Sequence, residues 1–171
     1  LAARTRALII CALIVAAGLA LSPIASASTA SAASSLPQPV QDALTAALMD
    51  EYHAEAFYSA VIDKFGATRP FSNIIRSEQM HASWVIDLMK TYGMDVPTNA
   101  ALGSAEIAAA VPASFGDACA AGVEAEIANR DLYDGRLLPV VTGYPDITSV
   151  LIQLRDASQN MHLKAFQRCA V

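Results

Sequence analysis

Cysteine and histidine are scarce in this chain of 171 residues, with three of each. Two of the cysteines, Cys119 and Cys169, lie far apart with no histidine near either, which argues against a thiolate metal site. Most of the eight glycines and eight prolines fall at breaks between helical stretches, and they never cluster. No phosphate-binding loop, Gly-rich nucleotide fingerprint or Ser/His/Asp nucleophile motif is present. Basic residues are outnumbered, 11 Lys and Arg against 16 Asp and Glu, for a net charge of −5. That balance excludes the basic footprint of a nucleic-acid-binding protein, and an acidic surface suits the attraction of cations. No strand pattern stands out, so the expected class is all-α.

The N-terminal stretch has the grammar of an export signal. Arg4 and Arg6 precede an apolar run from Ala7 to Leu21, which contains Cys11. Ser22-Pro23 and the small-residue site Ala25-Ser26-Ala27 follow, with Ala30-Ser31-Ala32 as a second cleavage choice. The run is short for a membrane span, so residues 1–27 read as a secretory signal peptide. Residues 28–38 read as a Ser/Ala/Pro leader. Residues 39–171 read as one domain large enough for a core. The expected location is secreted or in the cell envelope, with no stable membrane anchor after cleavage. Two cysteines in an exported chain suggest one disulfide. Cys119 opens the third predicted helix and Cys169 closes the fourth, ends that are neighbours in an antiparallel pair. Such a bridge is typically worth about 2–4 kcal/mol.

The most informative feature is a repeat. Ser77-Glu78-Gln79-Met80-His81 returns as Ser158-Gln159-Asn160-Met161-His162. Upstream, Glu51 precedes Tyr58 by seven residues, and Glu126 precedes Tyr133 by seven. The domain is thus two copies of one helix pair, the first helix carrying Glu and Tyr, the second carrying His. The predicted helices run from Pro39 to Phe65, from an N-cap at Ser72 to Tyr92, from Asp117 to Leu138 where Pro139 stops it, and from Pro145 to about Cys169. The long connection from Pro97 to Gly116 holds a short helix over Ser104–Ala110. Steps of four and three put Leu44, Leu48, Glu51, Glu55, Tyr58, Ile62 and Phe65 on one face of the first helix. Ile74, Glu78, His81, Val85 and Leu88 share a face of the second. On the third, Cys119, Val123, Glu126, Arg130, Tyr133 and Leu137 form the repeat-matched stripe, with Val123, Ile127, Asp134 and Leu138 competing. The fourth presents Leu151, Arg155, Ser158, His162, Ala165 and Cys169.

Carboxylates and imidazoles on inward faces of a helical bundle are how dinuclear metal sites are built. A carboxylate buried without a partner is expensive, so it must be paired, protonated or bound to a cation. The candidate metal ligands are Glu51, Glu78, His81, Glu126 and His162, a set suited to iron, with manganese as the alternative. Gln159 stands where symmetry asks for a second bridging carboxylate and depletes that half. Glu55, one turn from Glu51, is a candidate extra ligand. Tyr58 and Tyr133 read as hydrogen-bond donors that orient the carboxylates. Arg130, one turn from Glu126, is a competing neutraliser. His53 reads as a surface residue, and Trp84, Met80, Met89 and Met161 as core or interhelix packing.

Phe71-Ser72-Asn73-Ile74, Ser77-Glu78-Gln79 with His81, Tyr92-Gly93, and Ser158 to Leu163 with Ala165-Phe166 carry a resemblance. The chain resembles the ferritin-like proteins of domain of unknown function 2202 over nearly all of the mature sequence. The resemblance implies an antiparallel four-helix bundle of two helix-pair repeats, with a long crossover between helices 2 and 3. It also implies a carboxylate-bridged di-iron centre at Glu51, Glu78, His81, Glu126 and His162. Dioxygen or peroxide would then be the partner of an iron-oxidising or oxidant-consuming activity. The competing reading is a non-catalytic helical binding module whose Glu51, Glu78 and Glu126 pair with Arg76, Arg130 and Arg155. A metal carrier or sensor is a third. Oligomeric state is not legible.

Overall fold

The computed structural model describes residues 35–170. The expected signal segment, its cleavage sites, Cys11 and the leader before Ser35 lie outside the described residues. All regular structure among them is helical. Helix α1 spans Gln38–Phe65, with a proline in its first turn. It ends at Gly66, whose φ of 85° is open to glycine and whose N–H returns to the Ile62 carbonyl. Helix α2 spans Phe71–Thr91. It begins before the expected cap: the Pro70 carbonyl already accepts from Asn73 and Ile74, so Ser72 lies inside the helix. Helix α3, Ala105–Ala110, is capped by Ser104, whose Oγ accepts from the Ile107 N–H at 3.2 Å. Helix α4, Phe115–Leu132, is capped in the same way by Ser114 with the Asp117 N–H, two residues ahead of the expected start.

The second half departs from simple α-helix twice. A π-helical turn at Tyr133–Leu137 leads into α5, Leu138–Val141. Pro139 therefore does not stop the rod as expected. It sits in the first turn of a new α-segment, where its missing N–H has no intrahelical partner to lose. The fourth rod consists of α6 (Pro145–Ala157), a π-turn at Ser158–His162, and α7 (Leu163–Gln167). A π-turn carries one residue more than an α-turn, so the inward stripe slips. The buried positions are Leu151, Leu154, Ser158, His162 and Phe166. Arg155 and Ala165, expected inward, each give way to a neighbour.

The four long rods pack in a ring. α1 lies against α2 and against α4 and α5; α4 and α5 lie against α7 and α6; and α6 lies against α2. Two apolar clusters fill the two ends. One gathers Leu44, Leu48, Val85, Met89, Tyr133, Val141, Ile147 and Leu151. The other gathers Tyr58, Val61, Phe71, Ala118, Cys119 and Phe166. In the second cluster the Tyr58, Phe71 and Phe166 rings lie 5.0–5.5 Å apart, and Cys119 is joined to Cys169 as a disulfide with Cα atoms 5.7 Å apart. Of the four residues expected in packing, Met89 is buried and Trp84 half-buried. Met80 and Met161 are 45% and 59% exposed, so that expectation fails for both. Each precedes its histidine by one residue, which on a helix turns it about 100° off the inward face.

Gly122 is inside α4, where alanine would ordinarily be preferred by roughly 1 kcal/mol. Here the preference inverts, because a Cβ would stand 2.7 Å from the ring of Phe166, which is fully buried. Gly122→Ala is expected to destabilise the fold by about 1–3 kcal/mol through overpacking. Denaturant unfolding of the variant checks this, and a more stable variant would mean that the ring has room to move.

Candidate metal centre

Between the two apolar clusters lies a single buried polar layer. Glu51, Glu78, His81, Glu126, Ser158 and His162 are each 3–5% exposed. Glu51 comes from α1, Glu78 and His81 from α2, Glu126 from α4, and Ser158 and His162 from the second π-turn. All five expected ligands are thus brought together.

Glu78 occupies the middle. Its Oε2 is 3.2 Å from His81 Nδ1, and its Oε1 is 3.0 Å from His162 Nδ1. Beyond each imidazole stands a further carboxylate: Glu51 Oε2 is 3.3 Å from His81 Nδ1, and Glu126 Oε1 is 3.7 Å from His162 Nδ1. The two rings stack with centroids 5.8 Å apart. Two triads result, Glu51/Glu78/His81 and Glu78/Glu126/His162. In each triad the ligand atoms lie within 4.8 Å of one another, a spacing compatible with holding a metal ion. The tyrosines act reciprocally across the repeat. Tyr58 Oη donates to Glu126 at 2.9 Å, and Tyr133 Oη donates to Glu51 at 2.9 Å. Each tyrosine therefore orients the carboxylate of the other half.

The remaining candidates fall outside the layer. Glu55 is half-buried and accepts from Gln79 and Asn99 on the side of α1. Gln159 donates its amide to the Glu126 carbonyl at 2.6 Å. The π-turn accounts for this, because the residue set one turn behind His162 is Ser158, whereas Glu78 holds that place behind His81. Ser158 hydrogen-bonds Glu126 instead. The arginine pairing required by the binding-module reading is absent among the described contacts. Arg130 pairs with Asp131, Arg155 with Asp134 and Asp156, and Arg76 bonds Asn73.

Burial and crowding pull the carboxyl groups apart in character. Burial pushes Glu51 well above the ordinary carboxylate range, and the neighbouring Glu78 charge adds to this against the His81 hydrogen bond. Burial, with the Glu78 charge behind it, raises Glu126 to about 7. For Glu78 burial is outweighed by the hydrogen bonds from His162 and His81, which leave it at about 2. Burial opposes a charge on His81, but Glu51 and Glu78 hold it up at about 9. The layer therefore retains protons that a cation would displace, with Glu78 as the persistent negative charge between two imidazoles.

Asp50 is a residue that sequence reasoning missed. Burial, opposed by the hydrogen bond from Asn129 at 2.7 Å, raises it to about 6. It follows Met49 just ahead of Glu51, off the inward stripe, so the helical period does not point to it. A cavity of about 310 Å³ beside it reaches the layer and is lined by Asp50, Glu51, Glu78, His81, Glu126 and Asn129 among others. His53, exposed as expected, stands at its mouth.

The uncharacterised protein domain DUF2202 matches residues 41–170, which takes in every rod and every residue of the layer. The chain belongs to the DUF2202 family. No curated protein matches it. The crystal structure of the hypothetical protein MJ0754 from Methanococcus jannaschii DSM 2661 is similar to this DUF2202 chain at 23% identity, with a TM-score of 0.68. The similarity covers 79% of this chain and 81% of that one, and it concerns the fold alone.

The retained protons set a pH signature for the metal-free DUF2202 domain. Glu126 is raised from an ordinary 4.5 to about 7, and His81 from an ordinary 6.5 to about 9. Both are raised on folding, so their contribution is complete below the unfolded values and is lost as pH rises through the folded ones. Glu78 is depressed, from 4.5 to about 2, so its contribution is lost as pH falls through that range. The melting temperature without metal is expected to be highest near about pH 5 and to fall towards about pH 9. A melting temperature that rises across that interval would contradict the protonation pattern.

Proposed function

We propose that this chain is an exported, ferritin-like metal-binding protein that holds iron, with manganese as the alternative ion, in the layer between its four rods. One observation carries the reading: two Glu/Glu/His triads share Glu78 in a buried layer that no described arginine or lysine contact enters. Carboxylate oxygen and imidazole nitrogen form a donor set for iron and manganese, and without thiolate it does not favour softer ions. The ring of four long rods with one long connection between the second and third supports the ferritin-like reading, because such bundles use one long crossover. The disulfide favours an oxidising compartment outside the cytoplasm. No described helix is long and apolar enough to cross a membrane.

In this reading Glu51 with His81, and Glu126 with His162, would each hold one ion, with Glu78 common to the two triads. Iron bound there supplies a one-electron couple to dioxygen or peroxide. The protein's own work is to fix the donors and to manage charge. Tyr58 and Tyr133 fix the outer carboxylates through their Oε1 atoms. Glu51, Glu126 and His81 release their protons as an ion is taken up, which keeps the change in net charge of the buried layer small. The apolar clusters on either side exclude water and strengthen each electrostatic contact.

Purified chain loaded anaerobically with ferrous iron and desalted is expected to retain about one to two irons. Glu78→Gln removes the ligand common to both triads and is expected to lose this iron while circular dichroism stays unchanged. Ferrous iron at 100 times its Kd should stabilise the wild type by about 2.7 kcal/mol, and chelator should reverse this. Wild type that retains neither iron nor manganese and melts at the same temperature with and without them would defeat the proposal.

A further inference from the structure

The cavity beside the layer has an origin in the broken repeat. The register that matches Glu51 to Glu126 also matches Asp50 to Ala125, and Asn129 to Ala54. One pair bridges α1 and α4: Asn129 Nδ2 donates to Asp50 Oδ2 at 2.7 Å. The equivalent pair is two alanines, and all four residues line the same cavity. Where symmetry would place a polar bridge, the helices are left with an opening.

That opening is larger than small oxidants or an ion require. Its volume of about 310 Å³ equals roughly ten waters at ~30 Å³ each and reaches the range of small-molecule sites. Ala54, Phe57, Ile107, Ala121 and Leu154 give it apolar walls, and the carboxylate–imidazole layer forms its floor. Exposed Glu106 stands with His53 at its mouth, and Asp50 stands in its wall. Neither lysine nor arginine lines it.

We propose that this cavity is a binding site for a small organic amine, its apolar body against the alanine and aromatic walls and its ammonium facing Asp50 and Glu106. The lining sets five carboxyl groups (Asp50, Glu51, Glu78, Glu106 and Glu126) against two imidazoles (His53 and His81), a balance that disfavours an organic anion, and the apolar walls offer little to a hydrated metal ion. As the substrate class of the proposed metal centre this inference rests on that reading. As a binding site it rests on the cavity alone.

The test uses n-hexylamine, 1-hexanol and hexanoate as probes, titrated into the whole chain, metal-free and iron-loaded, by calorimetry and amide chemical shifts. Hexylamine is expected to bind at least about tenfold more tightly than hexanoate and to shift amides of α1, α3 and α4. Ala54→Leu, in the wall, and Ala125→Phe, at the exposed mouth, should each weaken it by at least about tenfold. Melting curves and iron content, measured on both variants, should match wild type. Hexylamine binding without iron retention would sustain the site and reject the metal centre. Iron retention without any probe binding would reject the site and leave the centre standing. Hexanoate binding as tightly as hexylamine, or hexylamine binding unchanged in both folded variants, would overturn the proposal.

Discussion

Three carboxylates share one buried layer with two imidazoles, and the rest of the domain is arranged around that constraint. Like charges this close cannot all ionise without compensation, and none arrives from arginine or lysine. Compensation is internal. Glu78 is set between two rings, and Glu51 and Glu126 are set outside them, so each imidazole lies between carboxylates. The apolar clusters above and below make the contacts strong by keeping water out, and for the same reason make them costly to leave incomplete. Tyr58 and Tyr133 belong to opposite clusters yet both end in the layer. Each ties the packing of one end to the geometry of the other half's carboxylate.

The two halves reach this common layer by different backbones. In the first, an unbroken α2 presents Glu78 and His81 three residues apart on one face. In the second, the π-turn at Ser158–His162 presents Ser158 and His162 four apart and carries Gln159 to the Glu126 carbonyl. The helical winding and the residue type therefore agree. A glutamate at 159 on this backbone would meet a carbonyl oxygen rather than the layer, so the second half is built to do without a carboxylate there. Glu78 alone serves both triads, and the asymmetry lies in the number of shared carboxylates rather than in the outer Glu–His pairs.

Much of this was legible in the sequence because the repeat and the helical period point to the same residues. Glu51, Glu78, His81, Glu126 and His162 fall on inward stripes that also carry large apolar residues, and the layer follows from superposing the two copies. What was not legible depends on winding and on contacts between helices. Reading α6 to α7 with a constant α-period put Arg155 and Ala165 inward; Leu154, three residues after Leu151 in α6, takes the first place, and the extra residue in the π-turn carries Phe166 into the second. Pro139 looked like a stop because a proline within an α-helix usually is one, and the π-turn before it removed the conflict. The place of Gly122 inside a helix is explained only by the Phe166 ring that stands against it. Asp50 lies one residue off the stripe, and only its partner Asn129 on α4 draws it inside.

The departures from symmetry where α1 meets α4 line one cavity beside the layer. Exact repetition would give a bridge between α1 and α4 on both sides of the pseudo-twofold and a second bridging carboxylate at 159. The chain keeps the outer carboxylates, the histidines and the tyrosines paired but keeps the Asp50–Asn129 bridge only once. Had the repeat served packing alone, the alanine pair at 54 and 125 would be expected to draw the helices together. Instead the opening remains, with Ile107 of the crossover helix along its wall. The long connection is fixed there by Lys64, which donates to the carbonyls of Val111 and Pro112, and by Asn99, which donates to Tyr52 and Glu55. A connection anchored at both ends holds a wall in place as well as joining two helix pairs. The symmetric residues thus define where charge is held, and the asymmetric ones define from which side the layer is reached.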